Sequence, residues 1–391
     1  MQIYLYIDGA AELTTSEQAV RPRPDWYSNQ LPAVSPPSKQ GSALPRTLVD
    51  RVHGFAVSLL EKENRMFLEA QQASSNESQK FYSTVMSSGT LSDKISALTL
   101  TVQESPLHNT KALEMLVGLG KKRSRAQAVE VLRSIKDMFA HGTILPSDRR
   151  LRSFASQPSF MAAFQGPNSR WSERDALPGG LKESHLITWA FEHYLKDQYF
   201  QVLEILEVWC NDEIEFSRSR AVSYVYELLR EKPEQEANLL RLLVNKLGDR
   251  GKKIASRASY LLLQLEEAHP LMKPTVVSAI EELLFRPGQS QHAKYYAIIT
   301  LNQTVLSAKE EGIAVQLLDT YFSLFVILLR PSKDEKAKPR DKKHGKQGGD
   351  NRAAGHVKGQ NPDEEMRDKL VSAVLTGVNR AYPFTNSDNE R

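Results

Sequence analysis

The chain has 391 residues, of which 40% are hydrophobic and 25% are charged, a composition typical of folded globular proteins with a large core. No apolar run approaches the roughly 18 residues that span a bilayer, so a membrane protein is not expected. Cys210 is the only cysteine, which excludes an intrachain disulfide and a cysteine zinc knuckle and favours a reducing intracellular compartment. The net charge of +4 is small, but one segment near the C-terminus carries most of it.

Residues 1–44 form a segment rich in proline and serine, in which the aromatic pair Trp26 and Tyr27 is embedded. Proline at this density prevents a continuous helix and favours an extended N-terminal arm. The two aromatic side chains are candidates for anchoring this arm to a partner protein. The alternative is that they pack onto the protein's own first helix.

Amphipathic helical periodicity begins near Leu48, where apolar residues start to recur every three or four positions. The pattern predicts helices at about 48–69, 91–102, 110–119 and 124–140, and a shorter one at 148–154. Two stretches interrupt it. The polar residues 71–79 predict a loop, and the Pro- and Gly-rich residues 155–181 predict a linker or a loop packed across the helices.

Between about residues 211 and 331, helix-breaking Pro and Gly recur roughly every twenty residues and separate amphipathic segments. In one segment, apolar residues fall at i, i+4, i+7, i+8 and i+11 from Ile254, which is one face of an α-helix. Two such helices make a unit of about forty residues, the length of a HEAT or armadillo repeat. We therefore predict an all-α, HEAT/armadillo-like helical-repeat solenoid over residues 45–331, whose surface suits macromolecular partners.

A basic–alanine step recurs along the predicted repeats, and its alanines Ala221, Ala258 and Ala297 lie 37 and 39 residues apart. Small residues let neighbouring helices approach closely. A cation near a helix start is mildly unfavourable for the helix dipole. Because the step recurs despite this cost, we expect it to have a shared structural role.

Residues 331–360 carry nine Lys or Arg and four Asp or Glu, so this stretch is +5 and the rest of the chain is −1. It contains almost no apolar side chains that could offset the entropy of ordering, and we predict a disordered basic loop over 332–362. Such a loop could bind RNA through salt-dependent phosphate contacts, or it could serve only for solubility or localisation. Its candidate RNA-binding residues are Lys333, Lys336, Lys338, Arg340, Lys342, Lys343 and Lys346.

A last helix is predicted within residues 363–384, followed by a short tail over 385–391. Apolar residues recur along this helix at Leu370, Val374 and Leu375, and no polar capping segment follows them. This pattern is typical of an incomplete stack of repeats.

Two further basic clusters precede or open predicted helices, where phosphate contacts are geometrically easy. The alternative is that both are ordinary solvated helix ends. The first cluster consists of Lys121, Lys122, Arg123 and Arg125, and the second consists of Arg149, Arg150 and Arg152.

Catalytic motifs are not found in the sequence: it contains no phosphate-binding Gly-rich loop, no nucleophile elbow and no zinc-protease helix motif. His185 and His193 are eight residues apart, but no third metal ligand lies near them. Glu192 and the paired glutamates such as Glu266 and Glu267 resemble solvated helix faces. We therefore expect no enzymatic activity, no cofactor, no metal and no small-molecule substrate.

Several segments resemble the nucleolar-complex/CCAAT-binding-factor family, and together they run through most of the chain from residue 22. They are RPDWY at 23–27, segment 137–151, WAFEHYLKDQYF at 189–200, LLVNKLGDRGKKIASRASYLLLQL at 242–265, HAKYYAIITLNQ at 292–303 and LTGVNRAYPF at 375–384.

This resemblance implies an α-helical solenoid that assembles with the second nucleolar complex protein on early precursors of the large ribosomal subunit (pre-60S). It also implies a nucleolar or nuclear location and contacts to precursor ribosomal RNA. Family members continue beyond the segment at 375–384 into a further helical half, whose functions cannot be carried over to this sequence. Two alternatives remain open: a DNA-binding transcription regulator, although no DNA-reading motif is found, and a transport or adaptor repeat protein.

Overall fold

The computed structural model describes residues 18–29, 31, 44–73, 77–121, 125–329 and 362–385. Within these ranges the regular secondary structure is α- and 3₁₀-helix without any strand, which confirms the all-α prediction. The chain forms two compact units, residues 1–239 and residues 240–391, a division that the sequence pattern did not indicate. Most of the predicted arm, basic loop and tail lies outside the described residues.

The first unit contains two long helices of 28 residues each, α1 and α7, which pack against one another. The α7 helix also contacts α4 and α8, and α3, α4 and α5 contact each other in turn. The helices are α1 (Arg46–Ala73), α2 (Glu77–Ser88), α3 (Leu91–Glu104), α4 (Thr110–Gly120), α5 (Arg125–Ala140), the single turn α6 (Phe160–Ala163), α7 (Glu183–Cys210) and α8 (Glu215–Glu231).

The α7 helix is buried on more than one side because its sequence is apolar around most of its circumference. Leu186, Phe191, Leu195 and Tyr199 are each fully buried. A helix of this composition lies in a core rather than on a surface. It therefore positions the side chains of the surrounding helices and loops.

Three predictions for the first unit need correction or refinement. The loop predicted at 71–79 is wrong, because α1 continues to Ala73 and α2 begins at Glu77. The helix predicted at 148–154 is also wrong, because only Phe154–Ser156 form a 3₁₀ turn there. Residues 155–181 form short turns and α6, and their aromatic rings are buried in the unit, as expected for a packed loop rather than a free linker.

In the described part of the second unit there are six α-helices, and α14 packs against both α12 and α13 while α10 and α11 pack against α12. The apolar stripe predicted from Ile254 is buried, with Ala258 and Leu265 fully covered. The helices are α9 (Glu236–Asn245), which begins before the boundary, α10 (Lys252–Ala268), α11 (Lys273–Phe285), α12 (Gln291–Gln303), α13 (Glu311–Leu329) and α14 (Pro362–Ala381).

By length and composition alone, α13 could cross a membrane, because an 18-residue window of it has a mean hydropathy of 1.9. Asp319 divides its apolar residues, so no uninterrupted apolar run of that length occurs in this helix. Core helices of folded proteins satisfy the same test, and α13 packs against α11 and α14. Packing within the second unit explains only part of its apolar character, because 39% of that window is buried and Phe322, Val326, Ile327 and Leu329 are exposed.

Candidate nucleic-acid and partner interface

The first predicted basic cluster lies between α4 and α5, close to the end of α7. Lys121 follows α4 and donates from Nζ to Oε1 of Gln201, 2.7 Å away. Arg125 opens α5, and its Nε lies 3.0 Å from Oδ2 of Asp212. The other two members of the cluster lie outside the described residues: Lys122 and Arg123.

Asp212 is an ionised carboxylate, and it holds Arg125 by an ion pair. Burial acts to raise the pKa of Asp212, but hydrogen bonds from the Ile214 amide and from Arg125 outweigh burial, so the pKa is lowered. The Arg125 side chain is 49% exposed, and surface ion pairs of this kind contribute at most about 1 kcal/mol. Replacing the Arg125–Asp212 ion pair with an ion pair between Arg125 and a phosphate would therefore cost little free energy.

The second predicted cluster lies on the non-helical segment that follows α5. Arg149 forms an ion pair with Glu192 of α7, and Arg150 forms one with Glu236 at the start of α9. The Arg152 side chain is exposed, while its backbone N–H donates to Oε1 of Glu192 at 2.9 Å. Two of the three guanidinium groups are thus engaged within the chain, and Arg152 presents its charge to solvent.

The buried carboxylate of Glu192 fixes this segment, and it was not predicted as a site residue. Glu192 is 2% exposed and also accepts a hydrogen bond from Nε2 of Gln157 at 2.9 Å. The prediction that it lies on a solvated helix face is therefore wrong. A signal was present in the sequence, because Glu192 lies three residues after Trp189 and three before Leu195, on the same apolar face of α7.

A second buried carboxylate, Glu234, supports the same segment from the other side. It accepts a hydrogen bond from the backbone N–H of Leu151 at 2.6 Å and one from Nζ of Lys196 at 3.0 Å. Lys196 also donates to the Leu151 carbonyl oxygen at 3.0 Å. Glu234 and Lys196 thus satisfy both backbone polar groups of a residue that belongs to no helix, which explains its fixed path.

Trp26 is placed inside the first unit rather than at its surface. Its side chain is 1% exposed, its Nε1 donates to the Ile144 carbonyl oxygen at 2.8 Å, and its ring meets Phe191 edge-on with centroids 5.2 Å apart. The neighbouring Tyr27 is half-buried, and burial, reinforced by Asp25, raises the pKa of its hydroxyl. The ring of Trp26 is therefore used by its own chain, and a role in anchoring a partner stays a prediction for Tyr27.

The cations of the basic loop cannot be located, because they lie outside the described residues. Their role in RNA binding stays a prediction. They are Lys333, Lys336, Lys338, Arg340, Lys342, Lys343 and Lys346.

One group of side chains within the described residues has the spacing of metal ligands. Ligand atoms of Asp137, His141 and Glu227 lie within 4.8 Å of one another. The ammonium of Lys136, however, bonds to both carboxylates. Burial lowers the pKa of Lys136, but these two hydrogen bonds outweigh it and raise the pKa, so the lysine stays charged. It already supplies the positive charge that a cation would bring.

A third cationic surface, which was not predicted, lies at the start of α10. It consists of four exposed side chains within eight residues, and we call it the α10 cationic face. A signal was present, because no Asp or Glu occurs between residues 250 and 265. The four residues are Arg250, Lys252, Lys253 and Arg257.

The helices and these exposed cations define an all-α protein whose candidate sites are charged surfaces on loops and helix ends. No family model matches the chain. It is 50% identical over 386 residues to Ribosome biogenesis protein NOC1 of Chaetomium thermophilum, across 95% of this chain and 36% of that protein. It is 32% identical to CCAAT/enhancer-binding protein zeta of Homo sapiens, across 89% of this chain and 29% of that protein.

Nucleolar complex protein 1 of Drosophila melanogaster is 30% identical across 64% of this chain and 20% of that protein. The chain belongs to the family of the first nucleolar complex protein and CCAAT/enhancer-binding protein zeta, as the sequence resemblance predicted. It spans between 20% and 36% of the length of these three relatives.

Proposed function

We propose that this chain acts as a non-enzymatic helical scaffold in the early assembly of the large ribosomal subunit. The observation that carries the proposal is the 50% identity, over 95% of this chain, to a protein named for ribosome biogenesis. The similarity to a protein named for a nucleolar complex supports a nucleolar or nuclear location.

In this proposal the helices are stacked as HEAT/armadillo-like repeats. Consecutive helices pack against each other within each unit, as α3, α4 and α5 do in the first and α11 and α12 do in the second. Helix stacks of this kind present extended surfaces rather than deep pockets. Such surfaces suit the two partners that we propose, the second nucleolar complex protein and precursor ribosomal RNA within the pre-60S particle.

Exposed cations support the RNA half of this proposal. Arg125 is held only by a surface ion pair, and Arg152 presents its charge to solvent. The basic loop adds five net positive charges between residues 331 and 360. Binding of this type releases counterions from the nucleic acid, so the logarithm of the binding constant falls linearly with the logarithm of the salt concentration.

A DNA-binding transcription regulator is the second candidate, and the name of the human relative is the observation that favours it. The sequence contains no zinc finger, basic zipper or homeodomain motif with which base pairs could be read in the major groove. We therefore rank sequence-specific DNA binding below RNA binding.

Electrophoretic shifts of the full chain with structured RNA and with duplex DNA, at low and at raised salt, separate these candidates. We expect RNA binding that weakens steeply with salt and no preference among duplex sequences. Selective duplex binding that resists salt would favour the transcription regulator. Removal of residues 332–362 should weaken RNA binding without lowering the melting temperature, and an unchanged affinity would exclude the loop as the contact.

The protein half of the proposal needs a separate measurement. We expect the purified chain and the purified second nucleolar complex protein to co-elute in size-exclusion chromatography. Co-elution that requires added RNA would show that RNA bridges the two proteins, and separate elution under all conditions would contradict the proposed pairing.

A further inference from the structure

We propose that the α10 cationic face, together with Tyr260, binds single-stranded segments of RNA, with the tyrosine ring stacking on a base. This inference rests on the proposed RNA-binding function and assigns it to a surface. The surface lies in the second unit and is separate from the two basic clusters predicted from the sequence.

Helical geometry places these side chains together on α10. Lys252, Ser256 and Tyr260 follow one another at intervals of four residues, so they lie along one line of the helix surface. Lys253 and Arg257 form the adjoining line with the same interval. The opposite side of α10 is the apolar stripe that is buried in the core. The fold therefore leaves the cations and the tyrosine on a single solvent-facing side.

Tyr260 makes this surface differ from an ordinary solvated helix face. Its side chain is 54% exposed although a tyrosine ring is largely apolar. It lies about one turn beyond Arg257 on the same exposed side of the helix. Proteins bind single-stranded nucleic acid by combining cations with exposed aromatic rings, because every base offers a face for stacking. The basic loop contains no aromatic residue, so the two basic segments differ in the binding mode that they support.

The distribution of charge also points to an anionic ligand. The cations occupy the first turns of α10, where the partial positive charge of the helix end makes a lysine mildly unfavourable. The first acidic residue at the surface of this helix is Glu267, near the other end, where it accepts a hydrogen bond from Gln264 at 3.0 Å. From Lys252 to Leu265 the helix itself contributes no Asp or Glu, so about three of its turns offer a phosphate only neutral or cationic side chains.

The size of the face fits a short stretch of one strand. From Lys252 to Tyr260 the helix rises about 12 Å, at 1.5 Å per residue. The Ser256 hydroxyl lies within this length and adds a neutral hydrogen-bond donor. Several phosphates and one stacked base are therefore the chemistry that this surface can hold, whereas an acidic peptide would leave the exposed ring without a stacking partner.

The test compares the wild-type chain with Lys252→Gln/Lys253→Gln and with Tyr260→Ala, using a fluorescein-labelled 12-nucleotide single-stranded RNA. Loss of two phosphate contacts should weaken binding roughly 10- to 30-fold at 0.1 M salt and should lower the slope of log K against log salt by about 1.4. Loss of the stacking ring should weaken binding at least about 5-fold, with little change of that slope. Tyr260→Phe should bind like the wild type.

Matched controls are available in the same unit. Lys309 is exposed and Tyr382 is 62% exposed, and neither lies on α10. Lys309→Gln and Tyr382→Ala should leave the affinity within about twofold of the wild type. Circular dichroism melts of all variants should coincide, because every substituted side chain points to solvent.

Three results would overturn the inference: unchanged RNA affinity in both the lysine and the Tyr260→Ala variants, equal losses in the control variants, or an effect on an acidic peptide partner with none on RNA. A fourth would be a 12-base-pair RNA duplex bound as tightly as the single strand and indifferent to Tyr260→Ala. Failure of the wild-type chain to bind any RNA would instead reject the proposed function, so the two failures are distinguishable.

Discussion

Gly377 of α14 lies so close to Tyr321 of α13 that a Cβ atom at position 377 would be 2.4 Å from Cζ of the tyrosine ring. The same Cβ would lie 2.4 Å from Oδ1 of Asn302 on α12, whose Nδ2 donates to the Ala373 carbonyl oxygen at 2.8 Å. Three helices therefore meet at a point where only glycine fits. This close packing explains why the Gly-Val-Asn-Arg segment, which contributed to the family resemblance, begins with glycine.

Gly377→Ala should lower the free energy of unfolding by about 2 kcal/mol. Alanine is favoured over glycine inside a helix by about 1 kcal/mol, but the overlap with a fully buried ring and a buried amide outweighs that gain. Gly54 in α1 is the matched control, since a Cβ there meets no atom within 4 Å, and Gly54→Ala should stabilise the protein. Thermal melts measure both effects. Melting temperatures that shift in the same direction in the two variants would contradict this account.

The helices could be predicted from the sequence wherever one apolar stripe faces one core, as on α10, where Ile254 begins a stripe that is buried to Leu265. Prediction failed where local composition and tertiary contacts disagree. Residues 148–154 contain a helix-like apolar and basic pattern, but Glu234 accepts from the Leu151 amide, Glu192 accepts from the Arg152 amide, and the segment is not helical before Phe154. Those contacts come from partners about 40 to 80 residues away in sequence, which no local pattern contains.

The sequence could predict where charged residues cluster. It could not predict which of those charges are exposed and available to a ligand. Nothing near Arg149 or Arg125 in the sequence indicates that Glu192 or Asp212 will face them, because each pair joins segments that are distant in sequence. The α10 cationic face was not predicted, because the sequence does not indicate that its four cations lie together on an exposed surface. Exposure, which decides the question, is a property of the folded unit.

Trp26→Ala should lower the free energy of unfolding of the first unit by about 3–5 kcal/mol, because it removes a fully buried ring and leaves the Ile144 carbonyl oxygen without its donor. Tyr27→Ala should cost less than about 1 kcal/mol, because that side chain is half exposed. Chemical denaturation would measure both values. Hydrogen exchange at residues 144–153 should accelerate in the Trp26 variant alone, and equal effects of the two substitutions would contradict the assigned packing.

Arg149→Gln should lower stability more than it lowers RNA affinity, because the guanidinium is held by the buried Glu192. Glu192→Gln should cost about 3–5 kcal/mol, since it leaves a partly buried cation without its counter-charge. A double-mutant cycle of the two should give a coupling energy of about 1–3 kcal/mol. An RNA affinity that falls as far in Arg149→Gln as in Lys252→Gln/Lys253→Gln would show that Arg149 leaves Glu192 to bind phosphate.

Glu266 of α10 should make stability depend on pH near neutrality. Its side chain is 5% exposed, and burial raises its pKa from 4.5 to about 7, although a hydrogen bond from Thr304 and the charge of Lys273 act in the opposite direction. Between pH 4.5 and 7 the folded protein therefore keeps a proton on Glu266 that the unfolded chain has released. Because the folded state binds more protons in this window, stability falls as the pH rises through it.

The expected loss across that window is on the order of 3 kcal/mol, since one pKa unit corresponds to 1.36 kcal/mol. Glu266→Gln should remove this slope, because the amide stays neutral and can still accept the hydrogen bond of Thr304. Glu267→Gln is the matched control. The Glu267 carboxylate is next to Glu266 in sequence but is exposed, so this variant should keep the wild-type dependence of stability on pH. Urea denaturation at pH 5, 6, 7 and 8 measures the slope of stability against pH. A Glu266→Gln variant that is less stable than the wild type at pH 8 would contradict this account, because it would show that the ionised Glu266 carboxylate stabilises the fold.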